Sequence, residues 1–254
     1  MLRQIELQIK LPQEIRVNPS MGSVFHGALM DIIGPETANW LHTQNESRPF
    51  GQCVYYNREL NQPIWRLSAL SQEATKRILE PVLKMLNSDI LLKQKGYAVT
   101  VESIIGDKTS SYQQLADDVF LSEEIPNGGS MAFLTPTSFK REGNYVIMPE
   151  LYLIFQSVLN RWNYFSPKNK LLEKDLEIEL AKSCFISSYD LHSQVFSLEN
   201  SKITGFKGNM HIRFKANEMV RRILGMLLSY SQYAGIGIKT ALGMGAVEYS
   251  RRIA

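Results

Sequence analysis

From residue 4 the chain alternates strictly, with Ile5, Leu7, Ile9 and Leu11 apolar and Gln4, Glu6, Gln8 and Lys10 polar between them. A period of two sends alternate side chains to opposite faces, so 4–11 reads as a half-buried strand. Asn18-Pro19-Ser20 supplies a helix start. Apolar residues at 21, 24, 25, 28, 29, 32 and 33 then follow a helical period. Gly34-Pro35 interrupts that helix, and a short second one is expected over 36–43. Strands are expected at 51–57 and 63–69. A helix is expected over 71–86, on apolar positions 74, 78, 79, 82, 83 and 86 and in spite of Pro81, and a further alternating strand at 97–105. The resulting order, β-α-β-β-α-β, is that of a ferredoxin-like or RRM-type unit.

Residues 106–128 are polar and run into Pro126-Asn-Gly-Gly129, which predicts a linker or loop. Beyond it the pattern returns. Segments 130–135 and 144–148 read as strand or hairpin about an Arg141-Glu-Gly-Asn144 turn, and helices fit 149–162 and 170–182. Strands fit 183–196 and 208–215, the latter with Met210, Ile212 and Phe214 alternating with His211, Arg213 and Lys215. A helix over 217–231 and a last strand over 244–250 complete the series. No residue-level repeat is present, but the order of elements is the same. The expected fold is therefore α+β, two tandem ferredoxin-like units, with an N-terminal unit over 1–110 and a C-terminal unit over 125–254.

Between the last helix and the last strand lies Gly235-Ile-Gly-Ile-Lys-Thr-Ala-Leu-Gly-Met-Gly-Ala-Val247. It holds two Gly-x-Gly pairs, Gly235/Gly237 and Gly243/Gly245, with Lys239 and Thr240 between them. Glycine permits positive φ and close backbone approach, and successive amides in such a loop can form an anion-binding concavity to which Lys239 would add charge. The loop follows a helix and precedes a strand, so it is not a dinucleotide fingerprint, and Lys239 lacks the Walker spacing. A flexible hairpin with no ligand is the plainer alternative.

Charge is spread unevenly. The net charge is +3, but residues 201–254 carry nine Lys/Arg against two acids, leaving 19 basic and 23 acidic residues in the first 200. A basic C-terminal segment fits a polyanion partner. No apolar run approaches the ~18 residues of a membrane span, and the first residues do not form a secretory signal. Cys53 and Cys184 have no metal-site spacing and read as buried thiols of a cytoplasmic protein. The four histidines, 26, 42, 192 and 211, form no HExxH or Cys/His cluster, and no Gly-x-Ser-x-Gly occurs. Neither a metal nor another cofactor is expected, and metal-free acid–base chemistry is what this inventory can support.

The glycine-rich run close to the C-terminus resembles that of the RAMP proteins, and within that superfamily the chain most resembles the CRISPR repeat-cleaving endoribonucleases, the Cas-six family. In the first half, Gly27 and Leu29 match the family's first helix, Trp40-Leu41-His42 its histidine segment, and Arg48 before Phe50 its basic position. In the second half, Phe133-Leu-Thr-Pro136 and the basic hairpin after it match as well. The resemblance covers 1–56, 130–150 and 205–250. It implies tandem ferredoxin-like units and cleavage of precursor crRNA within each repeat by the RNA's own 2′-hydroxyl, leaving a 2′,3′-cyclic phosphate and a 5′-hydroxyl. His42, His26 and Arg48 are the implied catalytic set. The family's tyrosine position falls on Met30, which can do no proton chemistry, and His26 stands one turn earlier on the same helix face. Expected RNA contacts are Lys239, Thr240, Gly235, Gly237, Gly243 and Gly245, together with Arg221 and Arg222 on the helix before the loop. The rival reading is a non-catalytic RAMP subunit of a crRNA effector complex, which would not require the His26/His42/Arg48 set. An unrelated RRM-type binder ranks last, because no RNP motif is found. The repeat's sequence and structure, association with effector subunits, dimerisation and the fate of the product are left open.

Overall fold

The computed structural model describes residues 1–43, 47–199 and 201–253. The first alternating segment is strand β1, Leu2–Lys10. It lies between β3 (Gln62–Ala69) and β5 (Tyr97–Ser110), antiparallel to both. With β2 (Phe50–Asn57) and β4 (Ser88–Leu92) the sheet runs β2-β3-β1-β5-β4. Without β4 this is the ferredoxin-like order. Strand β4 was not expected; it is five residues long and pairs only with β5, at the sheet edge.

Helix α1, Met21–Thr43, is two helices joined at Gly34, whose φ of 74° and ψ of 171° leave the helical region. That is where Gly34-Pro35 predicted a break. Helix α2, residues 72–83, is not uniform: its middle, Thr75–Leu79, widens to a π turn just ahead of Pro81. Proline has no N–H to give to the carbonyl four residues back, and the wider turn accommodates that missing bond.

The expected linker 106–128 is a correction. Strand β5 continues to Ser110, and Tyr112–Phe120 forms helix α3, capped by Ser111, whose side chain accepts from the Gln114 N–H. Tyr112, Leu115 and Val119 are buried in the core of the second half. Charged residues on the outer face gave the segment its polar look.

The second sheet, β11-β6-β10-β9, has the same order of pairing as β5-β1-β3-β2 of the first. It consists of β6 (Pro126–Thr137), β9 (Cys184–Ser197), β10 (Lys202–Phe214) and β11 (Val247–Ile253). A small hairpin, β7 (Phe139–Arg141) with β8 (Asn144–Val146), turns through Glu142 and Gly143, both at positive φ, as a tight hairpin requires. Helices α4 (Leu151–Phe165), α5 (Leu176–Lys182) and α6 (Glu218–Ala234) cover this sheet.

The two halves share their interiors. Ala241 joins the core of the first, around Phe25 and Trp65, while Leu2 and Leu70 join that of the second, around Trp162 and Tyr230. Arg66 of β3, 4% exposed, bonds Glu6 of its own sheet and Glu248 of β11, each at 2.5 Å. Burial favours a neutral Glu6, but Arg66 and the Tyr55 hydroxyl, which donates to it, more than offset this and lower its pKa.

Candidate active site

The first turn of α1 meets the glycine-rich segment at Gly22. A Cβ there would lie 2.7 Å from the Leu242 carbonyl oxygen and 2.8 Å from Gly243 Cα, so the approach requires a residue without a side chain. One turn later His26 Nδ1 lies 3.1 Å from the Ala241 carbonyl oxygen. A carbonyl only accepts, so Nδ1 carries the proton and Nε2 keeps its lone pair. The imidazole lies parallel to the Phe50 ring at 6.1 Å. Burial is the main cause of a lowered His26 pKa; the Ala241 bond opposes the shift and the charge of Arg48 adds to it. His26 is therefore neutral at pH 7.

The Ala241 carbonyl is held from a second side. Gln52 of β2 donates through Nε2 to Ala241 O (3.2 Å) and to Gly22 O (2.6 Å), and its Oε1 accepts from Trp65 Nε1 (3.0 Å). One buried amide thus joins β2, β3, α1 and the glycine-rich segment beneath His26. Arg161 does similar work from α4, donating to the Ala234 carbonyl and, at 2.5 Å, to Thr240 Oγ1. Ser157 Oγ accepts from the Gly237 N–H at 2.8 Å.

The glycine-rich segment is a folded cord rather than an open cradle. The amides of Gly235, Ile236, Gly237, Ile238, Leu242, Met244 and Gly245 all donate to protein oxygens. Gly245 would set a Cβ 2.0 Å from the Ile236 carbonyl oxygen, so its glycine serves closure of the loop on itself. The expected anion-binding concavity is thereby narrowed to the amides of Lys239, Thr240 and Ala241, which donate to no backbone oxygen among the described residues. Thr240 is 3% exposed and its hydroxyl is taken by Arg161, so its work is to hold the loop. Lys239, at φ 56°, is the exposed residue of the 239–245 turn.

Arg221 and Arg222 are also corrected. Both lie in the first turns of α6, 13–14 residues before Gly235, and a rise of 1.5 Å per residue sets them roughly 20 Å from the loop. Arg222, 8% exposed, donates to the carbonyls of Val119 and Ser122 and pairs with Glu218; Arg221 donates to those of Ile125 and Pro126. They fasten α3 and the start of β6 to α6.

Of the proposed catalytic set, Arg48 is near enough to His26 for its charge to add to the lowering of the His26 pKa. Arg48 Nη1 is buried and finds no hydrogen-bond partner among the described residues. His42 lies exposed in the last turn of α1, beyond the Gly34 break, and residues 44–46 between it and Arg48 lie outside the described residues. Met30 packs against the first core. Gln52 and Arg161 were not singled out in the sequence. A glutamine inside the apolar run Phe50–Tyr56 is a visible signal, whereas nothing in the sequence distinguishes Arg161 from a surface helix arginine.

The family model described as CRISPR-associated endoribonuclease Cas6 matches residues 131–247. A CRISPR-associated endoribonuclease Cas6 of Streptococcus thermophilus is 28% identical over 230 residues, 90% of this chain and 90% of its own. One from Mycobacterium tuberculosis strain H37Rv is 26% identical over 245 residues, 96% of this chain and 76% of its own. Among solved structures, a Cas6 product complex superposes with a TM-score of 0.77 at 21% identity, covering 98% of this chain and all of that one, and shares the fold.

Proposed function

We propose that this chain, whose resemblance to the Cas6 endoribonucleases runs along nearly its whole length, cuts CRISPR precursor RNA within its repeats. The observation that carries the reading is His26, neutral, with Nδ1–H committed to Ala241 O and Nε2 without a hydrogen bond among the described residues, within the electrostatic reach of Arg48. In the proposed reaction Nε2 takes the proton of the 2′-hydroxyl. The oxygen attacks the adjacent phosphorus, and the bond to the 5′-oxygen breaks. Arg48 offsets the charge gathering on the phosphorane, and His42 protonates the leaving oxygen. The products are a 2′,3′-cyclic phosphate and a 5′-hydroxyl, with no water consumed. Neither histidine needs a metal for its step, since an imidazole can serve as base or acid near neutrality. Exposed Lys239 would meet a phosphate next to the reacting one.

A non-catalytic RNA-binding subunit shares the fold and the loop, but has no use for a histidine held in a fixed tautomer within reach of an arginine charge. The test is incubation of the purified chain with end-labelled repeat RNA in EDTA, with the ends mapped, alongside the same RNA carrying 2′-deoxy at the scissile nucleotide. Cleavage at one site with the stated ends, and a deoxy RNA that binds and is not cut, are expected. Cleavage of the deoxy RNA, or loss of activity in EDTA, would overturn the mechanism.

A further inference from the structure

A cleft of about 730 Å³ opens beside the glycine-rich segment, with Gly237 on one wall and Ser47, the neighbour of Arg48, at its rim. That volume lies within the range of pockets that hold small organic ligands. Its floor is α4. This helix buries Leu153, Ile154, Phe155, Val158, Leu159 and Trp162, and turns Gln156, Asn160 and Tyr164 into the cleft. The spacing of four residues aligns those three along one helix face. Lys140, from β7, and Lys170, from the segment after α4, close the sides, and neither is in an ion pair among the described residues.

The composition of this cleft is unusual for a solvated helix face. Among the described residues no carboxylate lines it, and Lys140 and Lys170 bring positive charge to its sides. With Arg161 and Asn163 committed to Ala234, Thr240 and Leu171, the helix is left to offer two amides and a phenol to the cleft. Asn160 is exposed and makes no side-chain hydrogen bond among the described residues. Gln156 gives Nε2 to Tyr152 and keeps Oε1. An amide that offers a donor and an acceptor together can pair with the edge of a nucleobase. Tyr164, 41% exposed and set edge-on against Phe165 at 4.8 Å, is a supported aromatic face for stacking.

We propose that this cleft is a base-reading subsite for one unpaired nucleotide beside the scissile phosphate. Asn160 and Gln156 read its edge, Tyr164 stacks on it, and Lys140 and Lys170 hold the flanking phosphates. The proposal rests on the RNA-cleaving reading above and deepens it, because it makes α4 the determinant of which nucleotide is accepted next to the cut.

The experiment uses the full chain and repeat RNA carrying 2′-deoxy at the scissile nucleotide, so that binding is measured without cleavage. Each nucleotide within three of that position is replaced in turn by the other three bases. Wild type should show one position at which the wrong base weakens binding by about 10-fold or more. In Asn160→Ala with Gln156→Ala, discrimination at that position should fall to within about 2-fold. Asn160→Asp, which replaces the amide donor by a charged acceptor, should weaken binding of every base and also alter the base preferred. Lys140→Ala with Lys170→Ala should weaken all four bases alike. Undiminished discrimination in the α4 variants, or an equal loss for every base in them, would overturn the subsite while leaving the nuclease reading in place. Failure of wild type to bind repeat RNA of any sequence would overturn both.

Discussion

His26 and Gln52 show how differently two side chains of one site are written in a sequence. The histidine was legible because few residue types can move a proton at neutral pH, and because it fell one turn from the family's tyrosine position, here Met30. Gln52 carries no chemistry of its own. Its role depends on two carbonyls, Gly22 O and Ala241 O, that lie 30 and 189 positions away in the chain. Backbone oxygens have no signature in a sequence, so such a partner appears only once the chain is folded. Gln52→Leu should leave the Trp65 indole N–H without its acceptor, at a cost of about 1–3 kcal/mol in a denaturant midpoint measurement. It should also free Ala241 O to shift beneath His26. We expect single-turnover cleavage to slow by up to roughly 10²-fold, because misplacement of a reacting group by about 1 Å has that effect, while RNA affinity stays within about 2-fold. A variant that loses stability and keeps its rate would show Gln52 to be packing alone.

Among the elements, the long periodic ones were legible and the short or mixed ones were not. Strand β1, the interrupted helix α1 and the hairpin at Glu142-Gly143 each follow from local pattern. Strand β4 has five residues, too few for alternation to stand out. Helix α3 carried a readable cap, Ser111 with Gln114, and apolar residues at Leu115 and Val119, but the acids around it masked a narrow buried stripe. The glycine-rich segment was recognised, but not that its glycines serve close backbone contact. Gly22 and Gly27, both in α1, separate these effects. Alanine favours a helix over glycine by roughly 1 kcal/mol. Nothing lies within 4 Å of a Cβ at Gly27, so Gly27→Ala should stabilise the protein by about 0.5–1 kcal/mol and leave cleavage intact. At Gly22 the Cβ meets backbone atoms of 242 and 243, so Gly22→Ala should destabilise by about 1–3 kcal/mol and depress cleavage. Thermal melts of the two variants side by side, with single-turnover rates, check the difference in sign.

At the scale of the whole molecule, the candidate site exists because two sheets with the same strand order are fastened to each other. Arg66 links β3 to Glu248, and the cores exchange Ala241 for Leu2 and Leu70. The tandem order was legible in the succession of periods, whereas the fastening was not, since buried Arg66 reads like any strand arginine. Its consequence is that the base proposed for catalysis stands on one half while the carbonyl that sets its tautomer belongs to the other. The same burial links His26 to pH. Its folded pKa lies below the ordinary value of 6.5, so its contribution to stability is complete above about pH 6.5 and is lost as pH falls through the lower folded value. The pH dependence of single-turnover cleavage, wild type against His26→Ala, tests the central claim most directly. Wild type should lose rate on the acid side with an apparent pKa below 6.5. His26→Ala should be slower by roughly 10²-fold or more, bind RNA normally and lack that acid limb. A His26→Ala enzyme that keeps the wild-type rate and the wild-type acid limb would contradict the account.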